Sequence, residues 1–169
     1  MPVSPSVANA NGYNPGVFVP GLGFRVTKTE DLSGAQDDLF VVTGKVLMSV
    51  MTGEVTNAID AAVTDYEMLI KGIPGSNIIG SSSLSGAEVG AIYNVSGRNS
   101  DSILGTSTAY KMMDFSGGYH TALSYRVIGL SGGTLTIEST HTAGAAGDAI
   151  VWSLYYLPLE AGASVAAAA

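Results

Sequence analysis

The sequence predicts an all-β protein, a single β-sandwich or jelly-roll-like domain with an extended N-terminal arm, and three observations carry that prediction. From Phe24 onward, short runs rich in Val, Ile, Thr and Tyr alternate with Gly, Ser and Asn punctuation, the spacing of strands and turns in a sandwich or barrel. Apolar and polar positions alternate at period two in Tyr66-Glu-Met-Leu-Ile70 and Leu135-Thr-Ile137. The chain of 169 residues, without cysteine, is long enough for one core that needs no disulfide or metal.

Residues 1–23 are read as the arm. They hold Pro2, Pro5, Pro15 and Pro20, and no charge precedes Arg25. Proline fixes φ and removes a backbone donor, so this segment is predicted to be extended. A free disordered tail is normally rich in charge. This one instead carries Val3, Val7, Tyr13, Val17, Phe18 and Val19, which are the expected contacts with the chain's own body or with a neighbour.

The domain proper is placed at residues 24–160. Its expected strands are Phe24 to Thr29, Leu39 to Thr43, Lys45 to Thr56, Val63 to Lys71, Glu88 to Val95, Tyr119 to Leu130, Thr134 to His141 and Ala149 to Leu157. Ile59, Ala62, Val63, Tyr66, Leu69 and Ile70 also fit helical spacing, with Asn57 as a cap; two strands turning near Asp60-Ala61 is the preferred reading. The run Ala149 to Leu157 is apolar on both faces, with Ile150, Trp152, Leu154 and Tyr156 on one and Val151, Tyr155 and Leu157 on the other. A strand wet on one side is not built this way, so it is placed centrally or at a subunit contact, and Pro158 ends it. Residues 161–169, rich in Ala, Gly and Ser, are read as a low-complexity tail ending near the surface.

Composition narrows the function classes. Charged residues make up 12% of the chain, about half the ~25% of an average globular protein, which suits a subunit covered by its neighbours. A net charge of −7 opposes direct binding to nucleic acid, because that affinity rests on Lys and Arg displacing counterions. The opening residues lack a basic stretch followed by an apolar run, and no long apolar segment occurs, so neither a secretory signal nor a membrane span is expected.

No catalytic constellation stands out. Gly129-Leu-Ser-Gly-Gly133 matches the nucleophile-elbow pattern, and Glu138 and His141 follow in the order serine, acid, base. The elbow needs a helix after the serine, whereas Thr134-Leu-Thr-Ile137 reads as a strand and Gly132-Gly133 as a hairpin turn. His120 and His141 lack partners at metal-ligand spacing, and the acidic residues form no calcium loop. Gly21-Leu-Gly23 and Gly44-Lys45 do not extend to nucleotide-binding fingerprints. The expectation is a protein that is not an enzyme and carries no cofactor or metal.

Three stretches carry a resemblance: Phe24-Arg-Val-Thr-Lys-Thr-Glu-Asp-Leu-Ser-Gly34 before Asp38-Leu-Phe-Val-Val-Thr-Gly44; Gly53-Glu-Val-Thr56; and Gly133-Thr-Leu-Thr-Ile137 with Ala149 to Val165. In these the chain resembles the capsid decoration, or cement, proteins of tailed bacteriophages over most of residues 24–165. The Tyr110-Lys-Met-Met-Asp114 segment has no counterpart in that pattern. The resemblance implies a virion protein, commonly a homotrimer, on the capsid exterior, holding adjacent major capsid subunits together. The second function class is a receptor- or glycan-binding head or tail spike module. For contact with a neighbouring copy or the capsid, Trp152, Tyr155 and Tyr156 join the apolar residues of the arm as candidates.

Overall fold

The computed structural model describes residues 17–19, 21–59, 63–73, 76, 78–95 and 126–169. Nine strands and, among the described residues, no helix make up the fold: β1 Val17–Val19, β2 Gly23–Asp31, β3 Gln36–Asn57, β4 Tyr66–Ile70, β5 Ile79–Ser82, β6 Ile92–Asn94, β7 Arg126–Thr140, β8 Ala149–Pro158 and β9 Ser164–Ala167. All pair antiparallel, in the order β1-β2-β8-β3-β7-β4-β5, with β6 and β9 also on β3. The all-β, sandwich-like class read from the sequence is the class of the structure.

β3 organises everything else. It is 22 residues long, and a straight strand of that length would span about 70 Å, whereas a compact chain of this size has a radius of gyration of about 15 Å. It therefore has to bend. Val46, Leu47 and Met48 pair with both β7 and β8, so those two strands lie on opposite edges of β3. Phe40 to Thr43 pair with β7 and β9, which puts β9 on the β8 edge; Thr52 to Glu54 pair with β8 and β6, which puts β6 on the β7 edge. β8 and β9 are thus two pieces of one track along β3, interrupted by residues 159–163, and β6 and β7 are two pieces of the other.

The two halves of β3 belong to two layers. Glu30 on β2 and Tyr66 on β4 are 2.7 Å apart through their side chains, although three strands separate β2 from β4 in the sheet. In a flat sheet that separation would be about 19 Å, so the sheet is folded over on itself and its concave side forms one core. Inward positions of every long strand fill that core, including Phe40, Val42, Val46, Met51, Val55, Tyr66, Met68, Ile137, Ile150, Trp152, Leu154, Tyr156 and Val165. The fold line crosses the middle of β3, and we call that end the corner. At the other end, the open end, segments are tied by backbone bonds: His141 donates to Ala35 at 2.9 Å, Gly144 to Leu32 at 2.8 Å, Leu32 to Asp148 at 2.9 Å and Thr142 to Thr64 at 3.0 Å.

Several sequence expectations need correction. Leu39 to Thr43 and Lys45 to Thr56 are one continuous strand, because Gly44 takes a φ of +64° and turns the chain without ending the ladder. Likewise Gly132-Gly133 is no hairpin turn. Gly44 pairs with Leu130 and Thr43 with Thr134, so residues 131–133 form a bulge inside β7. The tail is not loose: residues 164–167 are β9, paired with β3, with Val165 buried. At the other terminus, Val17–Val19, within the segment read as an extended arm, pairs through its backbone with Gly23 to Arg25. β5 went unforeseen, and the expected strands Val63 to Lys71 and Glu88 to Val95 shorten to β4 and β6. The helical alternative finds no support at residues 57–59 or 63–70; the turn expected at Asp60-Ala61 and the strand portion 119–125 lie outside the described residues.

Candidate functional site

The most concentrated chemistry lies in the core at the open end. Along β2 the inward positions run Phe24, Val26, Lys28 and Glu30, so alternation alone drives a carboxylate into the interior, where Glu30 is fully buried. A buried charge costs several kcal/mol unless it is paired and hydrogen-bonded. Here it is met from several sides. Tyr66 Oη on β4 and Trp152 Nε1 on β8 both donate to Oε2 at 2.7 Å, and Ser139 Oγ on β7 donates to Oε1. His141, just past β7, sets Nε2 3.5 Å from Oε1.

Aromatic faces close the cluster. The Tyr66 ring stacks on His141 at 5.4 Å and on Trp152 at 5.8 Å, with interplanar angles of 18° and 23°. Trp152 in turn packs on Gly53, where an added Cβ would come within 2.6 Å of the indole. Burial, followed by the Glu30 charge, raises the Tyr66 hydroxyl well above its ordinary value, so it stays a donor.

The His141 ring reads clearly from its neighbours. Nδ1 lies 3.0 Å from the Thr142 carbonyl oxygen and so carries a proton to donate. Nε2 then faces a carboxylate oxygen, which favours a second proton. Burial works against the imidazolium, but the adjacent Glu30 carboxylate, the Thr142 carbonyl and the charge of Asp37 outweigh it, and the net effect raises the pKa. Asp37, on β3, is itself raised by burial and by Glu30, with Lys28 opposing at 3.9 Å. Glu30, Tyr66, Ser139 and Trp152 have no solvent exposure. The cluster can hold a charge and lock five segments together, and it offers no surface to a substrate.

The elbow-like motif folds elsewhere. Ser131 Oγ donates to Glu160 Oε2 at 3.0 Å. His141 follows ten residues later, on the order of 30 Å along an extended strand, and sits with Glu30 at the open end. Serine, acid and base are therefore not assembled. Among the described residues, no group of three or more His, Asp or Glu side chains is placed to hold a metal.

The corner has a different character. Leu47 stands opposite Val127 on one side and Leu157 on the other, giving an apolar row across β7, β3 and β8 on the convex face. Val127 is 62% exposed, Leu130 61%, Leu159 50% and Leu157 37%, four of the seven exposed large hydrophobics among the described residues. Of these, Val127 and Leu157 flank Leu47 in that row, while Leu130 pairs with Gly44; lone exposed apolar side chains are ordinary, but an aligned row is less so. Glu160 clamps this surface from below. Its carboxylate reaches over Gly44, where a Cβ would meet Oε1 at 2.7 Å, and accepts from the Lys45 amide at 3.1 Å, the Gly132 amide at 3.4 Å and Ser131.

The expected contact residues divide three ways. Val3, Val7 and Tyr13 lie outside the described residues, and for Val17, Phe18 and Val19 only the backbone pairing of β1 is described. Trp152 and Tyr156 are correctly placed on one face, but that face is the core: both are fully buried and unavailable to a partner. Tyr155 is half-buried on the convex face, opposite Arg25 and Val50. Sequence reasoning passed over Glu30, although its place in the inward series of β2 was visible. It also passed over Val127, Leu130 and Leu159, which only the corner brings together. No family model, curated protein or solved structure matches the chain.

Proposed function

We propose that the protein is a virion structural protein that decorates an icosahedral capsid and cements it by bridging major capsid subunits, as a homotrimer on the capsid exterior. One observation carries the reading: a charge-poor all-β body presents the apolar row Val127, Leu47 and Leu157 on its convex face, with Val127 and Leu157 exposed. Such a patch, rimmed by polar sheet surface, is what a protein partner buries. The fold adds support, since a domain that is entirely sheet offers strand edges to a neighbour, and repeated weak docking on a lattice becomes strong through multivalency. The glycan-binding alternative called for Tyr119, Trp152, Tyr155 and Tyr156 on an exposed platform; Tyr119 lies outside the described residues, and with Trp152 and Tyr156 in the core, nothing specific favours it.

The test is co-sedimentation of purified protein with capsids that lack it. Saturable binding that raises the capsids' resistance to heat supports the proposal. No binding by the folded protein at any concentration, with the double variant Val127→Asp/Leu159→Asp as control, sinks it.

A further inference from the structure

We infer that His141 and Glu30 form a proton-operated lock on the open end of the sandwich, closed by the imidazolium and loosened when it loses its proton. The inference is independent of what the protein binds.

The geometry sets up two discrete states. With Nδ1 committed to the Thr142 carbonyl at 3.0 Å, Nε2 faces Glu30 Oε1 at 3.5 Å. Among the described buried side-chain nitrogen and oxygen atoms, Nε2 alone lacks a close hydrogen-bond partner. Protonated, it faces the carboxylate as a cation and can close that gap. Neutral, it presents a lone pair to a carboxylate oxygen inside the core, and repulsion replaces attraction where the low dielectric magnifies both. Two of the carboxylate's other donors, the Tyr66 hydroxyl and the Trp152 indole, are taken at Oε2, and Ser139 already occupies Oε1.

The groups facing His141 all push the same way. Glu30 from β2 and Asp37 from β3 are acidic, Tyr66 from β4 presents its ring face, and the Thr142 carbonyl accepts from Nδ1. Lys28, on the inward face of β2 two residues from Glu30, is engaged by Asp37 and by the Ala168 carbonyl at 3.2 Å. The ring is also mechanically placed. The backbone on either side of it makes the bonds that hold the open end: His141 to Ala35, Thr142 to Thr64, and Gly144 to Leu32. Displacing the ring from Glu30 therefore pulls on three segments at once.

The sign follows from linkage. The folded state raises the His141 pKa above the unfolded value of about 6.5, so the stabilisation is complete below that value and is lost as pH rises through the elevated one.

The experiment is NMR on the full-length His120→Gln protein, which leaves His141 as the single histidine. Its ring titration should have a midpoint above 6.5. Amide protection at His141, Thr142 and Gly144, corrected for intrinsic exchange, should fall tenfold or more from pH 6 to 9 while Met51 and Leu154 hold steady. A ring midpoint at or below 6.5, or protection that does not change across that range, overturns the lock. His141→Gln should show the loosened pattern at every pH; should that variant not fold, the titration of the protein that retains His141 still decides.

Discussion

The corner and the open end are both places where distant strands meet, and they solve that problem with opposite chemistry. At the open end, ordering comes from inside: Glu30 is buried among Tyr66, Ser139, Trp152 and His141, and each donor comes from a different segment of the chain. At the corner, the carboxylate of Glu160 works at the surface, binding backbone amides and a serine, while the apolar side chains point outward. A buried ion can specify which segments meet because leaving it unpaired is costly; a surface carboxylate only tidies a bend. The difference teaches that the chain's stability is concentrated at one end, which leaves the other free to carry a contact surface.

Four perturbations break or sharpen this contrast, from the largest effect downward. Glu30→Ala strands the Trp152 and Tyr66 donors and should cost about 3–5 kcal/mol in urea unfolding, the loss seen when half of a buried pair is removed. A loss under about 1 kcal/mol would show that the open end does not depend on the carboxylate. Next, Gly53→Ala drives a methyl against the Trp152 ring from the far side of the cluster and should cost about 1–3 kcal/mol by overpacking, read from the same unfolding curves.

At the corner, Glu160→Gln should leave global unfolding nearly unchanged and raise hydrogen exchange only at the Lys45 and Gly132 amides. The Ser131 hydroxyl and those two amides hold the Glu160 pKa low against the opposing effect of burial. The clamp is therefore in place above the ordinary carboxylate value and is released as pH falls through the lowered one. The smallest stability effect belongs to Val127→Ser with Leu159→Ser, expected within about 0.5 kcal/mol because both side chains are already exposed. The same pair should have the largest effect on capsid binding, and retained binding would move the contact surface elsewhere.

How much of this was legible in the chain can be judged from particular residues. Ile150, Trp152, Leu154 and Tyr156 were assigned to one face by period two, and all four line the core. The central place of β8, between β2 and β3, followed from its apolar second face. Gly132-Gly133 misled, because a glycine pair before a strand reads as a turn in a linear sequence and becomes a bulge only when β3 continues past it. Residues 164–167 misled in the other direction. Only Val165 in Ser-Val-Ala-Ala favours a strand, and the segment becomes one because β3 has an open edge beside Phe40 to Thr43.

By itself, then, the sequence determined the local grammar: strands rather than helices, the inward and outward faces of β2, β4 and β8, and the scarcity of charge. These depend on neighbours one or two residues away, and period two records them directly. The tertiary structure alone decided that β3 bends and that Glu30 meets donors from β4, β7 and β8. It alone lines up Val127, Leu47 and Leu157 across three strands. Those outcomes follow from closing a folded sheet over one core, a constraint that joins residues more than a hundred positions apart and leaves no periodic trace in the chain.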